Sequence, residues 1–166
     1  MEPLAIDHCG RLTEIGCVAE VWRHLTTRFE SEADMREFID TALKWQREGT
    51  AVPFATIDKT SGLAVGSTRF ANIAREHKRV EIGWTWLAPA WQRTAVNTEA
   101  KYLMLRHAFE NWGCGRVELK TNARNETSRR AIARIGAKEE GTLRNHMVNP
   151  DGTFRDTVYF SIIESE

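Results

Sequence analysis

Residues 81–101 read EIGWTWLAPAWQRTAVNTEAK, and the order of signals in that stretch decides the architecture. Ile82, Trp84 and Trp86 alternate with Glu81, Gly83, Thr85 and Leu87, which predicts a strand over 79–87 carrying the two sets on opposite faces. Pro89 breaks the ladder, a tight loop follows, and a long amphipathic helix is predicted over about 95–111, ended by Trp112-Gly113. A strand that delivers free backbone N–H groups to a helix N-terminus is a ready-made anion site. Here the N–H groups of Arg93, Thr94, Ala95, Val96 and Asn97 would converge, aided by the helix dipole and the Arg93 side chain. Taken alone, the junction reads as a plain helix capped by Thr94.

The flanks extend the pattern. Residues 6–25 carry mixed helical signals, and 34–47 form a clearer helix, with Phe38, Ala42 and Trp45 on one side, Met35 and Ile39 extending it, and Gly49 as a stop. Either Ser31 or Asp34 suits its cap. Strands are expected at 52–57 and 64–73 around the turn Lys59-Thr60-Ser61-Gly62, and a short one at 116–121. Asn125 caps a helix to Ile135, with Ala131, Ile132 and Ile135 on one face and Gly136 at the αL stop. Two last strands, 141–148 and 154–163, join through Asn149-Pro150-Asp151-Gly152, where Pro presets φ and Gly accepts a positive one. The sum is an α+β (mixed α/β) domain in three layers, a mostly antiparallel central sheet with helices on both faces.

Nothing divides the 166 residues into more than one domain, 1–166. Lys+Arg and Asp+Glu both number 23, so no basic surplus points to nucleic acid or an anionic membrane. The balance also argues against a strongly acidic or basic substrate, although a local patch of either sign is compatible with it. Cys9, Cys17 and Cys114 form no CxxC pair, which fits a reducing compartment and argues against a disulfide framework or a metal site. With no span-length apolar run and no signal-like start, the cytoplasm is the expected location.

Several segments carry a family resemblance: Val65-Gly66-Ser67, Glu81-Ile82-Gly83-Trp84-Thr85, Gln92-Arg93-Thr94-Ala95-Val96-Asn97, Asn125-Glu126-Thr127-Ser128, and Gly152-Thr153-Phe154-Arg155-Asp156. In this order, over nearly the full length, the chain resembles the GNAT N-acetyltransferase superfamily and its RimJ/RimL-like branch. The resemblance implies acetyl-CoA as co-substrate, an amine-bearing acceptor (a protein N-terminus or a small molecule), no nucleic acid or membrane partner, no metal, and a monomer or homodimer. It places the coenzyme against Trp86 and Leu87, its pyrophosphate on Gln92 through Asn97, and its pantetheine arm beside Asn125 and Ser128. Two departures stand out. Ala95 and Asn97 occupy positions usually held by smaller residues, and the chain is expected to lack the family's first strand, leaving one sheet edge exposed.

Acetyl transfer from a thioester to an amine needs a donor at the developing oxyanion, a base for the amine and an acid for the departing thiolate. The candidates are the backbone N–H near Leu87, the carboxylate of Glu81, and the Ser128 hydroxyl. Each has a plainer reading: an ordinary strand end, a surface carboxylate paired with Arg79 or Lys78, and a first-turn serine. His146 and Asp156 are reserve bases. Trp22 and Trp45 are expected to shape the substrate side, while Trp84, Trp86 and Trp112 read as core. Arg155-Asp156 suits a substrate carboxylate or peptide group, but a cross-strand ion pair is the commoner use. A coenzyme-A-binding module with little catalysis, or a scaffold without the coenzyme, are the alternatives.

Overall fold

In the computed structural model, which describes residues 1–166, strands form at β1 (Glu2–Pro3), β2 (Val52–Ile57), β3 (Ala64–Ala74), β4 (Arg79–Leu87), β5 (Arg116–Asn122), β6 (Lys138–Val148) and β7 (Phe154–Ile163). Helices are α1 (Cys9–Gly16), α2 (Ala19–Trp22), α3 (Glu32–Arg47), α4 (Ala95–Arg106) and α5 (Glu126–Arg134). The strands pair into one seven-stranded sheet in the order β1-β2-β3-β4-β5-β7-β6. Every pairing is antiparallel except β4 with β5.

Local chemistry sets the helix ends. Ser31 accepts from the Asp34 N–H while the Asp34 carboxylate accepts from the Ser31 N–H, a reciprocal cap that starts α3. Asn125 Oδ1 accepts from the Ser128 N–H at 3.0 Å to start α5, and Gly136, at φ +95°, follows its end.

Strand register sorts the side chains into two cores. Phe70, Val80, Ile82, Val117, Leu119, Val158 and Phe160 pack with Met104 and Ala108 and with Ile132 of α5. On the opposite face Ala55, Ala64 and Trp86 pack with Leu12 of α1, Trp22 of α2, and Met35, Phe38, Ile39 and Ala42 of α3. Helices therefore cover both faces, as the three-layer reading expects.

Two expectations are corrected. The first strand is present: Glu2 pairs with Ala55 and Pro3 with Phe54, and the Leu4 N–H donates to the Pro53 carbonyl at 3.0 Å. Two residues are too few to show alternation, and proline is tolerated because an edge position does not need its missing N–H. The regular alternation along β4 also fails. Arg69 pairs with Gly83 but Ser67 pairs with Trp86, so Thr68 alone opposes both Trp84 and Thr85. Trp84 absorbs the extra residue in a left-handed conformation, φ +49°. Beyond this bulge the faces exchange. Ile82 belongs to the α4 side, Trp84 and Trp86 to the α3 side, and Thr85 reaches Lys101 of α4. Glu81 and Thr85 thus lie on opposite faces, not on one.

Candidate active site

The parallel pairing of β4 with β5 covers only Arg79, Val80 and Glu81 against Arg116, Val117 and Glu118. After Glu81 the strands part, and Ile82–Leu87 keep only their β3 partners. The Ala88 N–H donates to the Val65 carbonyl at 2.9 Å. Because successive N–H groups along a strand point to opposite sides, that of Leu87 points away from β3, into the fork. Its carbonyl accepts from Gln92 Nε2 at 3.0 Å, so Gln92 ties the following loop to the strand end. Close approach of β3 to β4 here requires Gly66: a Cβ on it would stand 2.2 Å from the Trp86 carbonyl oxygen.

The fork opens beside the start of α4. Thr94 caps that helix, its Oγ1 accepting from the Val96 N–H at 3.3 Å and donating to the Trp91 carbonyl at 2.8 Å. Val96 is thereby withdrawn from the expected set of free donors. The N–H groups of Arg93, Thr94, Ala95 and Asn97 donate to nothing within the protein. Arg93 adopts φ +60°, whereas Ala95 and Asn97 avoid positive φ, so neither strains the backbone where a glycine was expected. A row of unpaired donors at a helix N-terminus, with a guanidinium on it, suits a phosphate-bearing coenzyme. On the neighbouring α5, the capping oxygen of Asn125 leaves its amide nitrogen unbonded, and the half-buried Ser128 hydroxyl is likewise unengaged.

Glu81 occupies the vertex of the fork, on the face opposite α4. It is 2% exposed, and its Oε2 accepts from Asn72 Nδ2 at 2.7 Å and Lys120 Nζ at 3.0 Å. Neither Arg79 nor Lys78 is its partner; Arg79 reaches Glu118 at 3.2 Å. Gly83 makes room for the carboxylate, since a Cβ there would lie 2.8 Å from Glu81 Oε1. Lys120 lies under the rings of Trp84 and Tyr159, at 5.6 and 5.8 Å from their centroids. Register places Lys120 opposite Tyr159, with Arg155 on the same face of β7. Trp45, Glu48, Thr50, Ala71, Asn72 and Trp84 line an adjoining cavity of about 220 Å³.

The tryptophans divide differently from expectation. Trp45 and Trp84 stand 5.3 Å apart and wall the cavity. Trp22 is core, its indole N–H donating to the Gly16 carbonyl and its ring 5.2 Å from Trp86. Trp86 therefore presents its side chain to α1–α3, away from α4, and Trp112 packs on Phe70 near the surface. Neither Arg155 nor Asp156 makes the cross-strand ion pair that is the commoner use of such residues. Asp156 accepts from the Asn145 N–H at 2.7 Å, and no carboxylate lies within ion-pair distance of Arg155. His146 is exposed and meets Tyr159 edge-on at 5.7 Å.

Sequence reading missed Asn72, Lys120, Tyr159 and Arg69. The alternation Val117, Leu119, Thr121 was enough to turn Glu118 and Lys120 to the other face. Nothing in sequence signalled Asn72, whose φ of +49° at a second β3 irregularity brings its amide to Glu81. Arg69 is 1% exposed and boxed by Phe38, Trp45 and Trp84 at 4.6, 5.4 and 5.3 Å. Burial pushes its pKa down to about 10.

The sheet thus forks beside a helix N-terminus, with a buried carboxylate at the vertex. Residues 1–138 match the acetyltransferase (GNAT) domain, and the chain belongs to that family. It is 30% identical over 100 residues, 60% of this chain and 55% of the relative, to YoaA of Bacillus subtilis (strain 168), an uncharacterized N-acetyltransferase. It is 30% identical over 105 residues, 63% of this chain and 56% of the relative, to YdaF of the same organism, provisionally named a ribosomal N-acetyltransferase. The chain spans about half the length of these curated relatives. A crystal structure of a probable GNAT-family acetyltransferase from Chromobacterium violaceum ATCC 12472 superimposes with a TM-score of 0.90 at 31% identity, covering 99% of this chain and 82% of that one. A Salmonella typhimurium enzyme described as modifying the N-terminal serine of ribosomal protein L7/L12 shares the fold at 18% identity and a TM-score of 0.85.

Proposed function

We propose that the protein is an acetyl-CoA-dependent N-acetyltransferase that moves an acetyl group to a primary amine by direct attack in a ternary complex. The observation that carries this reading is the fork itself. It turns the Leu87 N–H toward a gap flanked by the unpaired N–H groups of α4, with the Glu81 carboxylate at its vertex on the opposite face. When bound, acetyl-CoA supplies an acyl thioester; this chain supplies the groups around it.

Arg93, Thr94, Ala95 and Asn97 would hold the pyrophosphate through backbone donors, and Asn125 the pantetheine arm through its free amide. The Leu87 N–H is oriented to donate to a carbonyl oxygen in the fork as negative charge develops there. Glu81, from the other face, takes the proton of the acceptor amine directly or through one water. Ser128 Oγ, unengaged at the first turn of α5, gives a proton to the departing thiolate. None of the cysteines is needed as a nucleophile: Cys9 and Cys114 are buried, and burial together with Asp34 pushes the Cys17 thiol up.

YdaF's provisional name makes a ribosomal-protein N-terminus the first acceptor to try, alongside small amines. The test is release of free coenzyme A thiol from acetyl-CoA across a panel of N-terminal peptides and small amines. Amine-dependent release supports the proposal. Saturable acetyl-CoA binding with no release from any amine overturns it and leaves a coenzyme-binding module.

A further inference from the structure

The charges around Glu81 do not balance. One face of the sheet buries Arg69 and Arg155, at 1% and 7% exposure, with Glu81 and the half-buried Lys120. Lys120 satisfies the carboxylate. Neither arginine makes a hydrogen bond or an ion pair, and Arg69 Nε and Nη2 and Arg155 Nε are enclosed without any partner. Arg69 at least faces three aromatic rings, which attract a cation. Arg155 has no such ring. Its electrostatic neighbours are Glu81, Tyr159 and His24, and behind His24 stands another cation, Arg23. The remaining acids nearby are engaged elsewhere: Asp156 faces away and takes the Asn145 N–H, while Glu48 approaches Lys44 at 3.9 Å. A buried charge without a counter-ion is costly to keep, and Arg155 is the one that neighbours the carboxylate assigned to receive the acceptor's proton.

We propose that Arg155 binds an anionic group of the acceptor, so that the preferred amine is carried by a molecule with a carboxylate close to it. Arg155 acts as a specificity-determining residue, and Arg69 holds the aromatic wall and adds positive potential. The inference rests on the N-acetyltransferase reading above. The shared chemistry has two sources: the α-carboxylate of a free amino acid, or an acidic side chain just after the N-terminus of a peptide. Because Glu81 is a charged neighbour of Arg155, an anion placed on Arg155 sets the amine toward that base, which Lys120 and Asn72 hold in place.

The experiment uses the full chain, saturating acetyl-CoA and two matched acceptor pairs. One pair is serine and serinamide; the other is a tetrapeptide with Asp or Asn after an N-terminal serine. The acid member of at least one pair is expected to exceed its neutral analogue by about tenfold or more in kcat/KM, mostly through KM, as one charge-assisted contact provides. In Arg155→Gln that ratio falls to about one, with acetyl-CoA affinity retained. Arg155→Lys restores part of the ratio and guards against a folding defect, and the wild-type ratio is decisive if neither variant folds. Equal use of acid and neutral members in both pairs overturns the inference while acetyl transfer stands. So does transfer to none of the four when another amine of the panel is acetylated. Failure of the whole panel overturns the acetyltransferase reading as well.

Discussion

Trp84 is held at φ +49°, a conformation that costs a bulky residue on the order of 1 kcal/mol or more. That strain sits where β4 changes face. Without it, Glu81 and Leu87 would share one side of the sheet. With it, Leu87 joins the side covered by α4, and Glu81 opens toward Lys120, Asn72 and Tyr159. The Glu81 carboxylate and the Leu87 side chain then lie on opposite faces of the sheet, with the Leu87 N–H between them in its plane. Ser128→Ala is expected to lower kcat on the order of a hundredfold with little change in acetyl-CoA affinity, read by steady-state kinetics beside a binding titration; an unchanged kcat removes the hydroxyl from the mechanism. Glu81→Gln is expected to flatten the acid limb of the pH–rate profile, and an unshifted limb with full activity assigns that limb elsewhere. At this scale the sequence was informative about local chemistry. Asn125, Thr94, Ser31 and Gly136 announced themselves because a cap or an αL stop depends on a few adjacent residues. The bulge was illegible: Ile82, Trp84 and Trp86 are all large and apolar, and only the partner strand reveals that one of them is out of step.

Elements were legible where periodicity was long, and β4 and β7 fall at their predicted bounds. The missing information was three-dimensional pairing, as at β1, whose two residues carry no pattern. The interface between β3–β4 and α4 bears two further predictions. Lys101, 5% exposed, places Nζ 3.2 Å from Thr68 Oγ1 and 2.5 Å from Thr85 Oγ1, with no carboxylate beside it. Burial drives its pKa from 10.5 down to about 7. Between those values the unfolded chain binds a proton that the folded chain does not, so this group makes stability rise with pH, by at most about 1.4 kcal/mol per unit. Below pH 7 the full cost is present, and above about pH 10.5 it has gone. Lys101→Met is therefore expected to raise Tm most near neutral pH and least near pH 10, in melts across that range; parallel wild-type and variant curves would refute the neutral buried amine. Gly66→Ala is expected to cost about 1–3 kcal/mol, because its methyl meets the Trp86 carbonyl and the Leu87 backbone, which cannot swing aside as the Leu87 side chain can. It should also weaken acetyl-CoA binding, since Leu87 moves with the strand end. A variant with wild-type stability and affinity would show that the close approach is not required.

Across the whole molecule, the sheet does two jobs with two faces. Helices α4 and α5 cover one and frame the mouth of the fork with unpaired donors; α1–α3 cover part of the other, where Glu81, Lys120, Arg155 and the Trp45–Trp84 cavity lie. The three-layer architecture was readable because hydrophobic alternation and helix caps agree along the chain. The surroundings of Glu81 were not, because their members come from β3, β4, β5 and β7 and meet only after the sheet forms. No helix is long and apolar enough to cross a membrane, and the zero formal charge overall conceals the cationic surplus around Glu81. Each reading of the site depends on the coenzyme entering the fork. Isothermal calorimetry of the purified chain with acetyl-CoA, at moderate salt and without acceptor, tests that directly. Saturable one-site binding in the micromolar range, roughly −8 kcal/mol, is the expected result; no heat and no thermal shift would contradict coenzyme entry into the fork.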